Sequence, residues 1–172
     1  INKAGFIIHS AIHQARPKDL HCVMHSHEVN SQTLAASKSK LIPLTQEGCQ
    51  LYERVGYHEF NGIVLNDEEK EKLINAIGNE KHTLLLRNHG LITAGPTAAW
   101  AFIRHQHFIR NAEVQLKLMA SNAEMSIISD NVLKHTREQF EGGNAQAGAK
   151  VRHPEWPAFW RLLDSLDQKW KQ

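Results

Sequence analysis

Apolar positions recur along this chain with two alternating periods, which predicts strands and helices laid down in turn. Residues 5–15 carry Phe6, Ile7, Ile8, Ala11 and Ile12 at helical spacing, and Pro17, which cannot enter a helix interior, stops them. His21-Cys22-Val23-Met24-His25 is a short apolar run with polar ends and suits a buried strand. Residues 26–37 return to helical spacing through Val29, Thr33, Leu34 and Ala36. Leu41-Ile42-Pro43-Leu44 predicts an extended piece, residues 47–55 a helix, and residues 55–60 a strand that ends at the turn dipeptide Asn61-Gly62.

Asn66 or Asp67 can cap a helix through Ile77, with Glu68, Glu69 and Glu71 at its positive end. Residues 83–86 have the cleanest strand pattern, and after Asn88-His89-Gly90 the chain turns back into Leu91-Ile92-Thr93, so a hairpin is expected. Gly95-Pro96-Thr97 opens the longest helix, to about Ala120, striped by Ala101, Phe108, Ala112, Leu116 and Met119. A further helix is expected over residues 125–140. Residues 141–149, with Gly142-Gly143 among small neighbours, read as an irregular, mobile loop or lid. Residues 156–170 place Trp156, Phe159, Trp160, Leu163, Leu166 and Trp170 on one face, which needs either the chain's own core or a neighbouring subunit to dock on. With no internal repeat and no second domain in the pattern, residues 1–172 read as a single α/β domain, its sheet covered by helices on both faces.

Composition narrows the function classes. At 172 residues the chain is one domain's worth, and a net charge of +2 is too small and scattered for a nucleic-acid surface. Two cysteines cannot make a disulfide framework and suggest a reducing, cytoplasmic setting. The apolar runs are far too short to span a bilayer, and no signal-peptide pattern opens the chain, so no membrane association is expected. The first residue is Ile1 rather than methionine, so the expectation is of either a processed protein or a domain that lacks its N-terminal portion.

The candidate chemistry lies in the histidines, of which there are twelve. His25-Ser26-His27 sits where a buried strand ends, and residues two apart on a strand point to the same side, so both imidazoles can reach one ion. Asn88-His89-Gly90 follows a second apolar strand, and its glycine lets the backbone turn without obstruction. If the two strands are neighbours, three imidazoles converge and leave a fourth position open, the arrangement of a catalytic zinc site. A substrate's hydroxyl and carbonyl oxygens could then bind there, with an enediolate stabilised. His9 and His13, four apart on a helix, lack a third ligand in the pattern, and His105 and His107 face different ways on theirs.

Three stretches carry a family resemblance. Gly5-Phe6-Ile7-Ile8-His9-Ser10-Ala11-Ile12-His13 with Ala15-Arg16-Pro17, then His25-Ser26-His27, then Arg87-Asn88-His89-Gly90-Leu91-Ile92, together resemble the class II aldolase/adducin family, which includes L-fuculose phosphate aldolase. Residues 57–65, beginning Tyr57-His58-Glu59-Phe60, look more like the adducin head and its bacterial relatives than the sugar-phosphate aldolases. The resemblance implies a three-layer α/β/α sandwich with a central, mostly antiparallel sheet, commonly a homotetramer with sites at subunit boundaries. It implies that His25, His27 and His89 bind zinc or another divalent metal ion.

Two departures bear on the reaction. The aldolases have an acid/base glutamate ahead of the helix that ends in Arg-Pro, whereas no carboxylate occurs from Ile1 to Arg16 here. They also supply a tyrosine after the Ile-Pro segment, where this chain reads Leu44-Thr45-Gln46-Glu47. Glu28, Tyr57 and His58 are the candidates for a substitute acid/base, and Asn88 and Gly90 for substrate binding. The expected function is therefore a metal-dependent lyase acting on a small hydroxy-carbonyl or sugar-phosphate compound. The competing expectation is an adducin-like scaffold module that keeps the fold and the metal site without catalysis.

Overall fold

The computed structural model describes residues 3–62, 67–146 and 153–166. Along the chain run α1 (Lys3–Ala15), β1 (Cys22–Ser26), α2 (Val29–Ala36), a 3-10 helix at Glu47–Leu51, β2 (Val55–His58), α3 (Asp67–Ile77), β3 (Thr83–Leu86), β4 (Gly90–Gly95), α4 (Ala98–Ser121), α5 (Asp130–Gln146) and α6 (Trp156–Ser165).

The strands make one sheet in the order β1-β4-β3-β2. β1 and β4 pair antiparallel, as do β4 and β3, while β3 and β2 are parallel. A parallel neighbour demands a crossover, and α3 lies in the connection between β2 and β3. Strand alternation then sorts the apolar side chains into two cores. Leu84, Leu86, Ile92 and Ala94 pack with Ile8, Ala11 and Ile12 of α1 and Leu73 and Ile77 of α3. Leu85 and Leu91 go to the other face, with Leu34 and Ala35 of α2 and Phe108 and Ala112 of α4. Each fully buried Leu or Ile stabilises the fold by roughly 1.5–3 kcal/mol relative to an exposed one. The result is a three-layer α/β/α arrangement around a mostly antiparallel sheet, as the family resemblance implies.

Pro17 does stop α1, and Arg16 fastens its end by pairing with Asp19 and donating to the carbonyl of Lys81 at 3.0 Å. The extended piece at residues 41–44 joins no strand. Buried Asn111 and Gln115, one turn apart on α4, serve its backbone instead: Asn111 accepts from Leu44 N at 2.9 Å and donates to Ile42 O at 2.7 Å. Gln115 accepts from Ile42 N at 2.8 Å and donates to Lys40 O at 2.9 Å.

Four local expectations need correction. The helix expected over 47–55 is a single short 3-10 stretch, and β2 ends at His58 rather than at residue 60. The helix expected from residue 125 begins at Asp130. The same helix runs through Gly142-Gly143 to Gln146, where an irregular loop is expected. Its last turns are held from outside: Arg137 pairs with Glu53 at 2.5 Å, and Glu141 meets Arg54 at 3.0 Å. Those ion pairs tie the helix to Glu53 and Arg54, against the roughly 1 kcal/mol by which each glycine disfavours a helix. The rest of that expectation, residues 147–149, lies outside the described residues.

α6 docks on α4 through Phe102, whose ring lies 5.6 Å from that of Trp156 and 5.1 Å from that of Phe159. Its outer side leaves Leu162 and Leu166 more than half exposed. Among the described residues no helix is long and apolar enough to cross a membrane.

Candidate metal centre

The three strands that run away from residues 22, 55 and 83 end at the same edge of the sheet, because β1, β2 and β3 are mutually parallel. His25 is the fourth residue of β1, opposite Ile92 of β4, and His27 follows just beyond the strand. His89 ends the β3–β4 turn, which is tightened by Asn88 in the left-handed region at φ 54°. The three imidazoles converge there. Their ring centroids are 4.9, 4.9 and 4.8 Å apart, and one nitrogen from each lies within 4.8 Å of the others.

Gly90 makes the convergence possible. A methyl group at that position would sit 2.4 Å from the Ser26 carbonyl oxygen, 3.0 Å from the His27 ring and 3.4 Å from the His25 ring. Any side chain there pushes β1 and its histidines off the turn.

His25 Nδ1 lies 3.0 Å from the Leu91 carbonyl oxygen, which can only accept, so Nδ1 carries the proton and Nε2 presents its lone pair. That Nε2 lies 3.0 Å from Nε2 of His27. Two nitrogens bound about 2.0–2.1 Å from a common tetrahedral zinc would be about 3.4 Å apart, so the spacing found suits the ion with a small outward movement. Burial, followed by the neighbouring histidines, lowers the His25 pKa to about 4, although the Leu91 hydrogen bond opposes this. Burial and then His27 and His58 also lower that of His89. Neutral imidazoles are the metal-binding form, so this donor set fits a divalent cation at neutral pH.

A buried relay that the spacing of histidines did not reveal supports the centre from behind. Ser26, between the two ligand candidates, alternates to the opposite face and meets His105 of α4, with Oγ 2.6 Å from Nε2. Thr93 donates to the Ala101 carbonyl at 2.8 Å, so at 3.2 Å it accepts from His105 Nδ1–H, and His105 Nε2 accepts from Ser26. His105 is almost fully buried, and desolvation lowers its pKa to about 4. A signal was present: position 105 falls four after Ala101 and three before Phe108, on the apolar stripe, where a histidine needs polar partners. Gln32 adds a second support, donating to the His89 carbonyl at 3.1 Å.

His105→Phe should leave Ser26 and Thr93 unsatisfied and weaken zinc binding roughly 10–100-fold, while His105→Asn should lose less. Competition with a chromophoric chelator reads this; unchanged zinc affinity in folded His105→Phe protein would remove the relay from the site.

Glu28 caps α2, accepting from Asn30 N at 3.0 Å and from Ser31 N at 2.9 Å, so both carboxylate oxygens are engaged. The Tyr57 hydroxyl accepts from Leu41 N at 2.9 Å, and Arg87 covers its ring at 4.9 Å. His58, at the end of β2, lies 3.1 Å from Glu69, which also holds Lys72 at 2.6 Å. None of these three makes a hydrogen bond to a triad nitrogen among the described residues. Asn88 shapes the turn and donates its N–H to Ala35 O at 3.2 Å.

Comparison with known proteins supplies the family. The profile described as Class II Aldolase and Adducin N-terminal domain matches residues 1–116. A Pseudomonas aeruginosa protein named for the class 2 aldolases is 33% identical over 172 residues, covering 100% of this chain and 66% of that protein. Rat alpha-adducin is 32% identical over 174 residues, covering 96% of this chain and 23% of the adducin. Among solved structures, an aldolase II superfamily protein from Pseudomonas syringae superposes with a TM-score of 0.79 at 32% identity, covering 96% of this chain and 62% of that one. L-fuculose 1-phosphate aldolase from Glaciozyma antarctica gives 0.70 at 25% identity, covering 89% and 63% respectively. The chain thus spans about two thirds or less of the length of the relatives it matches. On the fold, the histidine cluster and these matches together, the chain belongs to the class II aldolase and adducin family.

Proposed function

We propose that this chain holds the metal-binding part of a class II aldolase-type lyase, with His25, His27 and His89 as ligands of zinc or another divalent ion. The observation that carries the reading is the convergence of three imidazoles, with one nitrogen of each within 4.8 Å of the others. A bound ion would supply Lewis acidity to the hydroxyl and carbonyl oxygens of a small hydroxy-carbonyl or sugar-phosphate substrate. The chain's own residues orient it: Leu91 fixes the His25 tautomer, Gly90 lets β1 and its histidines close on the turn, and the Ser26–His105–Thr93 relay holds β1 in place. Proton transfer needs a further group. With Glu28 occupied as a helix cap and no carboxylate in the triad, His58 backed by Glu69 is the candidate nearest that sheet edge. Subunits related by rotation would cover the exposed side of α6 and complete the site as a tetramer.

Zinc-loaded protein assayed against L-fuculose 1-phosphate and other ketose phosphates, with His27→Ala as control, tests the reading. General acid–base assistance typically contributes about 100- to 10,000-fold, so cleavage is expected to be slow and to vanish in His27→Ala. Sedimentation of the same preparation should give a tetramer; a clean monomer at micromolar concentration would remove the assembly from the proposal.

A second reading has its own support. Alpha-adducin matches 96% of this chain at 32% identity, and the aldolases' acid/base glutamate has no counterpart in residues 1–16. A non-catalytic binding module would retain the fold and show no turnover of any hydroxy-carbonyl compound, even when zinc is stoichiometrically bound.

A further inference from the structure

The sheet edge opposite the histidines carries a second concentration of charge. There the ends of α1 and β4 meet the starts of β1, β2 and β3 around a cleft of about 730 Å³. Arg16, Lys18, Arg54 and Arg104 line it, together with buried His82. β1 separates the two edges; five residues at about 3.3 Å each make roughly 16 Å, so this cleft is not an extension of the triad.

The cations there are unequally matched. Arg16 pairs with Asp19. Arg54 pairs with Glu141 at 3.0 Å and, more loosely, with Glu80 at 3.8 Å, both carboxylates half or more exposed. Lys18 stands exposed on the rim. Arg104 has no carboxylate within ion-pair distance among the described residues. It spends one amino group on the Ala94 carbonyl at 2.5 Å and rests against Trp100, 5.1 Å from the ring centroid. Arg104 is one of the residues that line the cleft. Burial and then the charge of Arg16 lower its pKa to about 10, with the carboxylates of Asp19 and Glu141 opposing the shift, which still leaves it charged at neutral pH. A cation held in place by an aromatic ring and a carbonyl, in a cleft where Arg16, Lys18, Arg54 and Arg104 outnumber the carboxylates of Asp19, Glu80 and Glu141, can take up a further anion.

We propose that this cleft binds a tetrahedral oxyanion, free phosphate or the phosphate group of a small ester, through Arg104 and Lys18, with Arg54 exchanging Glu141 for the ligand. Phosphate suits the fork of donors on guanidinium better than a lone ammonium ion would. The cleft is also several times larger than the bare ion, so an esterified organic group has room beside it.

The test titrates inorganic phosphate and, separately, glycerol 3-phosphate into the full chain and into its His27→Ala variant, followed by calorimetry. Binding should persist in His27→Ala, because the metal centre is not the site; loss of binding in that variant would place the anion on the metal and overturn the proposal. Arg104→Met should weaken binding about tenfold or more, and Lys18→Glu, at an exposed position that folding tolerates, several-fold. Equal affinity for the two ligands assigns the cleft to the free ion, and preference for the ester assigns it to a phosphorylated metabolite. No binding of either ligand up to about 10 mM, or binding insensitive to both substitutions, would sink the idea. Zinc content is measured on the same samples, so failure here leaves the lyase reading separately decided.

Discussion

Replacing His27 with alanine should take the purified, zinc-equilibrated chain from about one ion per chain to almost none. His27 is the exposed member of the triad, so its removal costs little packing and the variant should remain folded. Two imidazoles would remain, too few for the three protein ligands of an open zinc site. The loss of affinity should exceed the roughly 10–100-fold that follows removal of an outer hydrogen-bond partner. Metal analysis of both proteins after extensive dialysis reads the result directly. A folded His27→Ala protein that still holds stoichiometric zinc would move the ion to other residues and take the proposed mechanism with it.

Acidification should destabilise this protein well above the pH at which ordinary carboxylates protonate. In the folded chain His25, His105 and His153 have pKa values lowered to about 4, in each case chiefly by burial, against an ordinary 6.5. A group depressed in the folded state favours folding while it stays neutral. Between about pH 6.5 and pH 4 the unfolded chain binds more protons than the folded one, so stability is full above that window and is lost as pH falls through it. For nearly fully buried His105 the loss at pH 5 is about 2 kcal/mol, with a similar order from buried His153 and less from the partly open His25. Against a typical total of about 5–15 kcal/mol that is a large fraction. Urea denaturation of chelator-treated protein at neutral pH and at about pH 5 measures it, and His105→Asn should show a visibly shallower pH dependence. Equal urea midpoints at the two pH values would mean that these rings are charged or solvated in the fold.

The candidate site was legible in part, and the reason differs from residue to residue. His25 and His27 could be placed on one side of a strand because alternation is a property of the chain itself. Gly90 could be seen as permissive, but its necessity became visible only with the Ser26 carbonyl 2.4 Å from where a methyl would go. His105 has no partner that its spacing from His107 reveals, because its partners, Ser26 and Thr93, come from β1 and β4. Glu28 looked available for proton transfer from its place beside His27, yet its carboxylate is taken up by the two N–H groups that open α2. β3 reads as a uniform apolar run, Thr83-Leu84-Leu85-Leu86, because both its faces are covered.

The sequence by itself determined the alternation of helices and strands, the stop at Pro17, the hairpin around Asn88 and the pairing of His25 with His27 on one side. Those features follow from local geometry: proline's missing N–H, the period of two along a strand and the period of 3.6 along a helix. Tertiary structure alone decided that β1 lies beside β4, with His25 opposite Ile92, so that His89 closes the triad. It also tied α5 to Glu53 and Arg54 through Arg137 and Glu141, and gathered Arg16, Arg54 and Arg104 at the far edge of the sheet. Such outcomes rest on groups far apart in the chain that meet only after loop closure and burial have been settled for the whole domain, so no local spacing encodes them.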